Sequence, residues 1–315
     1  MKYRRIGSTG IVVSELGFGA SPIGGVFGPV DEADAVNAVH AALDLGVTYF
    51  DTSPYYGSTQ SEEVLGRALS GIERDRYVLS TKVGRYGETA FDFSVARVKE
   101  SLQESAQRLG VETFDIVFCQ DIEFSEFDQI VQETLPELER LKSEGLLRAI
   151  GVSALPLDVL RTAAGIASVD VVLSYCHYNI YNTSLGELVP DLQEKGVGLV
   201  SAAPFAMGLL TQDGPPTWHP ASLPLRTACE DARHWCKAEG NSISRLALEF
   251  ALALSGPATT LAGMVDIREV EQNCSVVETN KASPELSGLR RLLEPVQGDT
   301  WVSPSTFVQK LPKQS

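Results

Sequence analysis

The stretch "GVTYFDTSPYYGSTQSEEVLG", residues 46–66, decides the fold. Val47–Phe50 is a short apolar run rich in β-branched and aromatic side chains, the composition of a buried strand. It breaks off at Asp51, passes through a polar turn carrying Tyr55 and Tyr56, and continues at helical spacing from Ser61. Strand, turn and helix together form one β–α unit with a titratable group at the strand's C-terminal end. By itself the string also reads as an ordinary polar turn, so the rest of the chain has to arbitrate.

The unit recurs. Apolar runs lie at Ser14–Phe18, Val47–Phe50, Tyr77–Ser80, Phe114–Cys119, Leu147–Val152, Val169–Leu173, Gly198–Ser201 and Thr259–Ala262. Helical periodicity fills 32–45, 61–70, 93–109, 126–144, 156–166, 186–195, 222–239 and 267–278. Without a linker or low-complexity break, this alternation predicts a single (β/α)8 barrel over residues 1–315. The runs do not alternate polar with apolar, as expected of parallel strands buried on both faces. An open, doubly wound sheet is the competing arrangement. Residues 243–254 read as an extra C-terminal helix, and Ser8–Gly10 as the turn of a hairpin ahead of the barrel.

Composition narrows the function. A chain of 315 residues suits such a barrel, which needs about 250. Its 26 Lys and Arg against 41 Asp and Glu give a formal charge of −15, which argues against nucleic acid or an anionic membrane as partner. No run reaches the ~18 apolar residues of a membrane span, and the basic start lacks a secretory apolar core. Five cysteines without CxxC spacing suggest neither a disulfide framework nor a metal site. The expectation is a reduced, cytoplasmic protein, a monomer or weak homo-oligomer.

A (β/α)8 barrel places its chemistry at the C-terminal strand ends. Here those ends carry Asp51, Lys82, Gln120, Ser153, Ser174, Ser201 and Gly263, with Tyr56 five residues beyond the acid. A phenol with an ordinary pKa near 10 is a poor acid and a rare base at neutral pH. An ammonium beside it stabilises the phenolate, and a carboxylate beside the ammonium keeps that charged. Asp51, Tyr56 and Lys82 are therefore candidates for moving a proton at an oxygen while hydride moves at the attached carbon. His177 is the other histidine near a strand end, expected to be packed rather than reactive.

The motifs "FDTSPYYGSTQSEEVLGRAL", "STKVG" and "GLLT" resemble those of the aldo-keto reductases across nearly the whole chain. Within the family the likeness leans toward the plant-type dehydrogenases that oxidise C1 of L-galactose with NAD. It rests on "GRYGETAFDFSVARVKESLQES", "DIEFSEFDQIVQETLPELERLKSEG", "LSYCHYN" and "AMGLLTQDGPPTWHPAS". The resemblance implies catalytic roles for Asp51, Tyr56 and Lys82, and an ascorbate-pathway sugar as substrate. The family's fourth catalytic position, usually histidine, is Gln120 here. Its side-chain NH2 can still donate a hydrogen bond to a substrate oxygen.

Gly17-Phe18-Gly19 is no dinucleotide fingerprint, because Pro22 stands at the third glycine position. The resemblance instead implies that backbone amides around Phe205, Ala206 and Gly208 face a pyrophosphate, with Gly263 and Met264 beside them. It gives Ser153, Ser174 and Ser201 to the nicotinamide end and Gln272 and Asn273 to adenine. Glu269, where NADP-using relatives carry a base, would repel a 2′-phosphate and favour NAD. Ser21, Asp121 and Glu123, with Tyr56 and Gln120, are the candidates for sugar hydroxyls. An NADPH-dependent carbonyl reductase and a cofactor-binding regulatory protein are the alternative functions.

Overall fold

A computed structural model of the chain describes residues 1–279 and 283–301. Two short strands, β1 (Tyr3–Arg5) and β2 (Val12–Ser14), form an antiparallel hairpin. Eight parallel strands follow: β3 (Leu16–Gly19), β4 (Tyr49–Asp51), β5 (Val78–Val83), β6 (Phe114–Cys119), β7 (Leu147–Ala154), β8 (Val171–Tyr175), β9 (Gly198–Ala202) and β10 (Thr259–Gly263). They pair in sequence order and close where β10 meets β3, so the barrel prevails over the open sheet.

The helices are α1 (Glu32–Asp44), α2 (Gln60–Leu69), α3 (Val95–Leu109), α4 (Phe127–Gln129), α5 (Leu135–Ser143), α6 (Leu157–Ala163), α7 (Val189–Lys195), α8 (Leu223–Ala238), α9 (Ile243–Leu252), α10 (Ile267–Thr279) and α11 (Glu285–Leu292). Local chemistry sets several starts: Asp31 accepts from the Ala33 and Asp34 amides, and Ser94, Ser222 and Ser242 cap α3, α8 and α9. The segment expected as one helix over 126–144 contains a π turn at Ile130–Thr134 between α4 and α5.

One expectation is corrected. Ser14–Phe18 is not a single strand, because the chain turns at Glu15 between the hairpin and the barrel. Ser14 and Thr48 exchange side-chain and backbone hydrogen bonds (3.0 and 2.9 Å), and Glu15 pairs with Arg4 at 2.9 Å. The hairpin thereby becomes a floor. Ile6, Ile11 and Val13 pack against Tyr49, Ile116, Ala149 and Val171 inside the barrel. The opposite mouth, at the C-terminal strand ends, stays available to a ligand.

Between α2 and α3 the backbones approach so closely that a Cβ on Gly66 would lie 2.1 Å from the Arg108 carbonyl. Under this contact the fully buried Glu62 accepts from Thr81 Oγ1 (2.6 Å) and pairs with Arg108 Nε (2.7 Å). Removing one partner of a buried pair strands the other's charge, at about 3–5 kcal/mol. Arg108→Ala is expected to lower the unfolding free energy by that amount in urea titration. Arg97→Ala, whose partners are solvent-exposed, should cost under about 1 kcal/mol.

Candidate active site

Register builds the first half of the site. Asp51 pairs with Ser80 across β4 and β5, and Lys82 lies two residues beyond Ser80. Side chains two apart share a face of a strand, so all three point the same way. Lys82 Nζ lies 2.5 Å from Asp51 Oδ2 and donates to the Thr52 carbonyl at 2.8 Å. Ser80 donates to the other Asp51 oxygen at 2.6 Å, and the Tyr49 hydroxyl meets Ser80 Oγ at 2.9 Å. Lys82 is only 1% exposed. Burial pulls its pKa down, but the Asp51 charge, with Tyr56 beside it, outweighs that and holds the ammonium above its ordinary range.

Tyr56 hangs over this pair, with the ammonium 4.8 Å from its ring centre. Here an expectation fails in direction. Lys82 does lower the phenol's pKa, but burial is the larger effect, and Asp51 and Asp121 add to it. The net result is a hydroxyl pushed up to about 12 and protonated at neutral pH.

Gln120 joins the group through a residue the sequence reading passed over. Ser53 Oγ donates to Gln120 Oε1 at 2.5 Å. With its carbonyl so occupied, the assigned amide orientation leaves the NH2 as the group free to donate. Asp121 and Glu123, the acids expected to meet sugar hydroxyls or solvent, are buried and hydrogen-bonded within the protein. Asp121, left-handed at φ 53°, pairs with Arg85 at 2.5 Å and accepts from Tyr175 at 3.3 Å. Arg85 also donates to the Tyr55 hydroxyl at 3.1 Å and lies over the Tyr55 ring at 3.9 Å. It thus ties the loops after β4, β5 and β6 together. Only its place three residues beyond Lys82 could have drawn notice. Glu123 is buried, one oxygen on the Leu155 amide at 2.9 Å and the other without a partner among the described residues.

The remaining candidates spread around the mouth. Ser153 accepts from the Asp121 amide at 3.2 Å, and Ser174 lies 3.5 Å from His177 Nδ1. Ser174 and Ser201 are register partners on β8 and β9. His177 is buried and neutral, its pKa lowered to about 4 chiefly by burial. Ser21 is half-buried in the turn before Pro22. Gly263 is half-buried next to Gly19, whereas the Met264 side chain is packed into the core and offers only backbone. On α10, Gln272 is exposed and Asn273 buried.

The turn after β9 departs from expectation. Ala203 (φ 56°), Ala206 (φ 48°), Met207 (φ 50°) and Gly208 (φ 103°) are all left-handed. Non-glycine residues held this way cost about 1–3 kcal/mol each and cluster at binding sites. Phe205 followed by Ala206 makes the right-then-left alternation that turns successive amides to one side, an anion-binding concavity. The Ala206 and Gly208 amides, however, bond within the turn to the Ala203 and Phe205 carbonyls (2.9 and 3.1 Å). Of the three amides expected to face phosphate, only that of Phe205 escapes these turn bonds. With small residues at 19, 202 and 263 and three serine hydroxyls nearby, the mouth fits a flat ring on a diphosphate tether.

A closed parallel barrel with a phenol, an ammonium and a carboxylate gathered at one rim defines an oxidoreductase site, and the chain belongs to the aldo/keto reductase family, whose sequence profile matches residues 15–294. Proteins of this family work with a nicotinamide cofactor. Among particular relatives, the chain is 48% identical to L-galactose dehydrogenase of Arabidopsis thaliana, over 96% of its own length and 98% of that protein's. It is 32% identical to D-arabinose 1-dehydrogenase of Saccharomyces cerevisiae over 79% of this chain and 80% of that one. The fold matches the holo form of an aldo-keto reductase from Bacillus halodurans with a TM-score of 0.77, at 28% identity, covering 96% and 99% of the two chains.

Glu123 generates a prediction. Burial, then the charge of Asp121, raises its pKa from 4.5 to about 8. Across that window the folded protein keeps a proton that the unfolded chain releases, so stability falls as pH rises. Glu123→Gln, neutral at every pH, is expected to flatten the decline. Relative to the parent, its unfolding free energy from denaturant titration should gain on the order of 4 kcal/mol between pH 5 and pH 9.

Proposed function

We propose that the protein removes hydride from C1 of L-galactose, or of a closely related aldose in ring form, and passes it to NAD, yielding the lactone. The observation that carries this reading is the buried Lys82 ammonium, 2.5 Å from Asp51 and facing the Tyr56 ring at 4.8 Å. The likeness to the plant L-galactose dehydrogenase supports the choice of sugar, and with it a place in ascorbate synthesis.

In this reading Gln120 donates its free NH2 to the anomeric oxygen, and Tyr56 takes the proton that oxygen gives up. Lys82 stabilises the phenolate that must be present to accept it, and Asp51 keeps Lys82 charged. Bound NAD supplies the hydride acceptor. Because Tyr56 rests protonated, the base is a minor form whose share grows with pH. The kcat/KM for sugar oxidation is expected to climb from about pH 7 to about pH 9, while that for reduction of the product carbonyl, which uses the phenol itself, stays flat over the same range. A pH-independent oxidation rate would exclude Tyr56 as the base.

The choice of NAD rests on the first turn of α10. Glu269 Oε2 accepts from the Val265 amide at 2.9 Å, which fixes the carboxylate there. Arg268 is held by Asp266 at 2.7 Å rather than free to receive a phosphate. Two acids with their one neighbouring base engaged repel a 2′-phosphate, and about 1.4 kcal/mol of repulsion already gives tenfold preference.

A second reading is supported by the protonated phenol itself. The same site run as a reductase, with NADPH and a simple aldehyde, would use Tyr56 as an acid. Initial rates with both cofactors, on L-galactose and on a simple aldehyde, separate the two. Faster NADPH-driven aldehyde reduction would replace the first reading. Nicotinamide binding without turnover on any sugar would point to a regulatory protein. Gln120→His is expected to raise kcat/KM on the sugar about fivefold, the equivalent of ~1 kcal/mol from a better-placed donor. An unchanged or lower value would show that the glutamine serves as well.

A further inference from the structure

The left-handed turn at 203–208 needs something to hold it, because strained backbone persists only where its surroundings over-determine it. The Leu209 amide donates to the Ala206 carbonyl at 3.2 Å, and the side chain that joins it there is His219, on the excursion between β9 and α8. Its Nε2 donates to the Ala206 carbonyl at 3.0 Å, and its Nδ1 accepts from the Ala221 amide at 3.1 Å. These two bonds together require the neutral ring with its proton on Nε2. The ring is 3% exposed, with the Trp301 ring edge-on at 4.9 Å and Trp218 stacked at 6.2 Å. Arg226, on α8, donates to the His219 and Ala221 carbonyls. Trp218 in turn meets Phe27, in the loop after β3, at 5.8 Å.

A peptide unit is a rigid plane, with its carbonyl and the next residue's N–H pointing in opposite directions. Fixing the Ala206 oxygen therefore fixes the Met207 N–H on the far side. We infer that His219 is a positioning residue for the cofactor's diphosphate, holding the Ala206–Met207 peptide so that the turn presents the Met207 amide to the anion. The inference rests on reading the 203–208 turn as the diphosphate site. It adds pH to the account of that site. Burial, then Arg226, keeps the imidazole below its ordinary range, against the Ala206 carbonyl. Protonating Nδ1 would set one donor against the Ala221 N–H and undo the arrangement.

The two amide analogues of histidine separate the bonds. Glutamine at 219 places its NH2 near the Nε2 position, and asparagine places its oxygen near the Nδ1 position. His219→Asn therefore drops the bond to Ala206, while His219→Gln retains it. Binding is followed by quenching of tryptophan fluorescence on titration with NADH, and with ADP-ribose, which carries the diphosphate without nicotinamide. Asparagine is expected to weaken both ligands about tenfold, with the KM for sugar within about twofold of the parent, and glutamine to stay within about threefold. Parent-like binding by the asparagine variant overturns the inference. So does equal weakening in both variants accompanied by equal losses of thermal stability. If the asparagine variant does not fold, the parent decides: its affinity for ADP-ribose should fall below about pH 6, and a flat profile to pH 5 overturns the inference. A parent that binds neither nucleotide overturns the diphosphate reading as well; binding that ignores His219 overturns only the inference.

Discussion

A lysine that is 1% exposed has to keep its charge without water, and much of the mouth is arranged around that demand. Two acceptors answer it, a carboxylate from the neighbouring strand and the Thr52 carbonyl just beyond. The carboxylate needs a second donor, which Ser80 supplies. The turn at 52–57 then has to bring a phenol over the ammonium. It does so by passing close to the loop after β3, where a Cβ on Gly57 (φ 61°) would lie 1.8 Å from the Gly24 carbonyl. Burial of the ammonium and the resting state of the phenol thus have one origin. The dry surroundings that sharpen the Lys82–Asp51 pair also raise the Tyr56 pKa by more than the ammonium lowers it.

What the sequence disclosed follows from what periodicity can carry. Apolar runs that do not alternate mark parallel strands, and a charge at the end of such a run marks the rim; Asp51 and Lys82 are visible on both counts. Periodicity also marks the hairpin, but it leaves an open sheet in competition with the closed strand order and says nothing of the hairpin as a floor. Pairings between loops leave no such mark. Nothing local says that Arg85 reaches Asp121 and Tyr55, or that Ser53 occupies the Gln120 carbonyl. Left-handed alanines are invisible for the opposite reason, since that conformation is expected of glycine or asparagine and not of alanine. The sign of the Tyr56 shift was missed because it is a difference between two large effects. Naming the neighbours of a group does not decide which of them wins.

The chain's acidity and its anionic cofactor are compatible for a related reason. A formal charge of −15 is spread over the surface, whereas the groups beside the reacting atoms are buried, paired and few. Over a Debye length of about 8 Å at physiological ionic strength, exposed carboxylates lose most of their reach. What a ligand meets at the mouth is set by Lys82, by Arg85 and by backbone dipoles, none of which net charge reports.

The site therefore divides by what supports it. Asp51, Ser80 and Lys82 ride on strands, where hydrogen-bonded register sets their spacing and no single side chain can move it. Gln120, Asp121 and the 203–208 turn ride on loops and are pinned by side chains from elsewhere: Gln120 by Ser53, Asp121 chiefly by Arg85, and the turn by His219. The carboxylate and ammonium therefore have their geometry set by register, although Tyr56, which faces them, is carried by the turn at 52–57. Under the proposed function, recognition of a sugar or a diphosphate would be retuned by exchanging a loop pin while the barrel stays as it is. That asymmetry lets one scaffold keep its chemistry fixed while its substrates and cofactor vary.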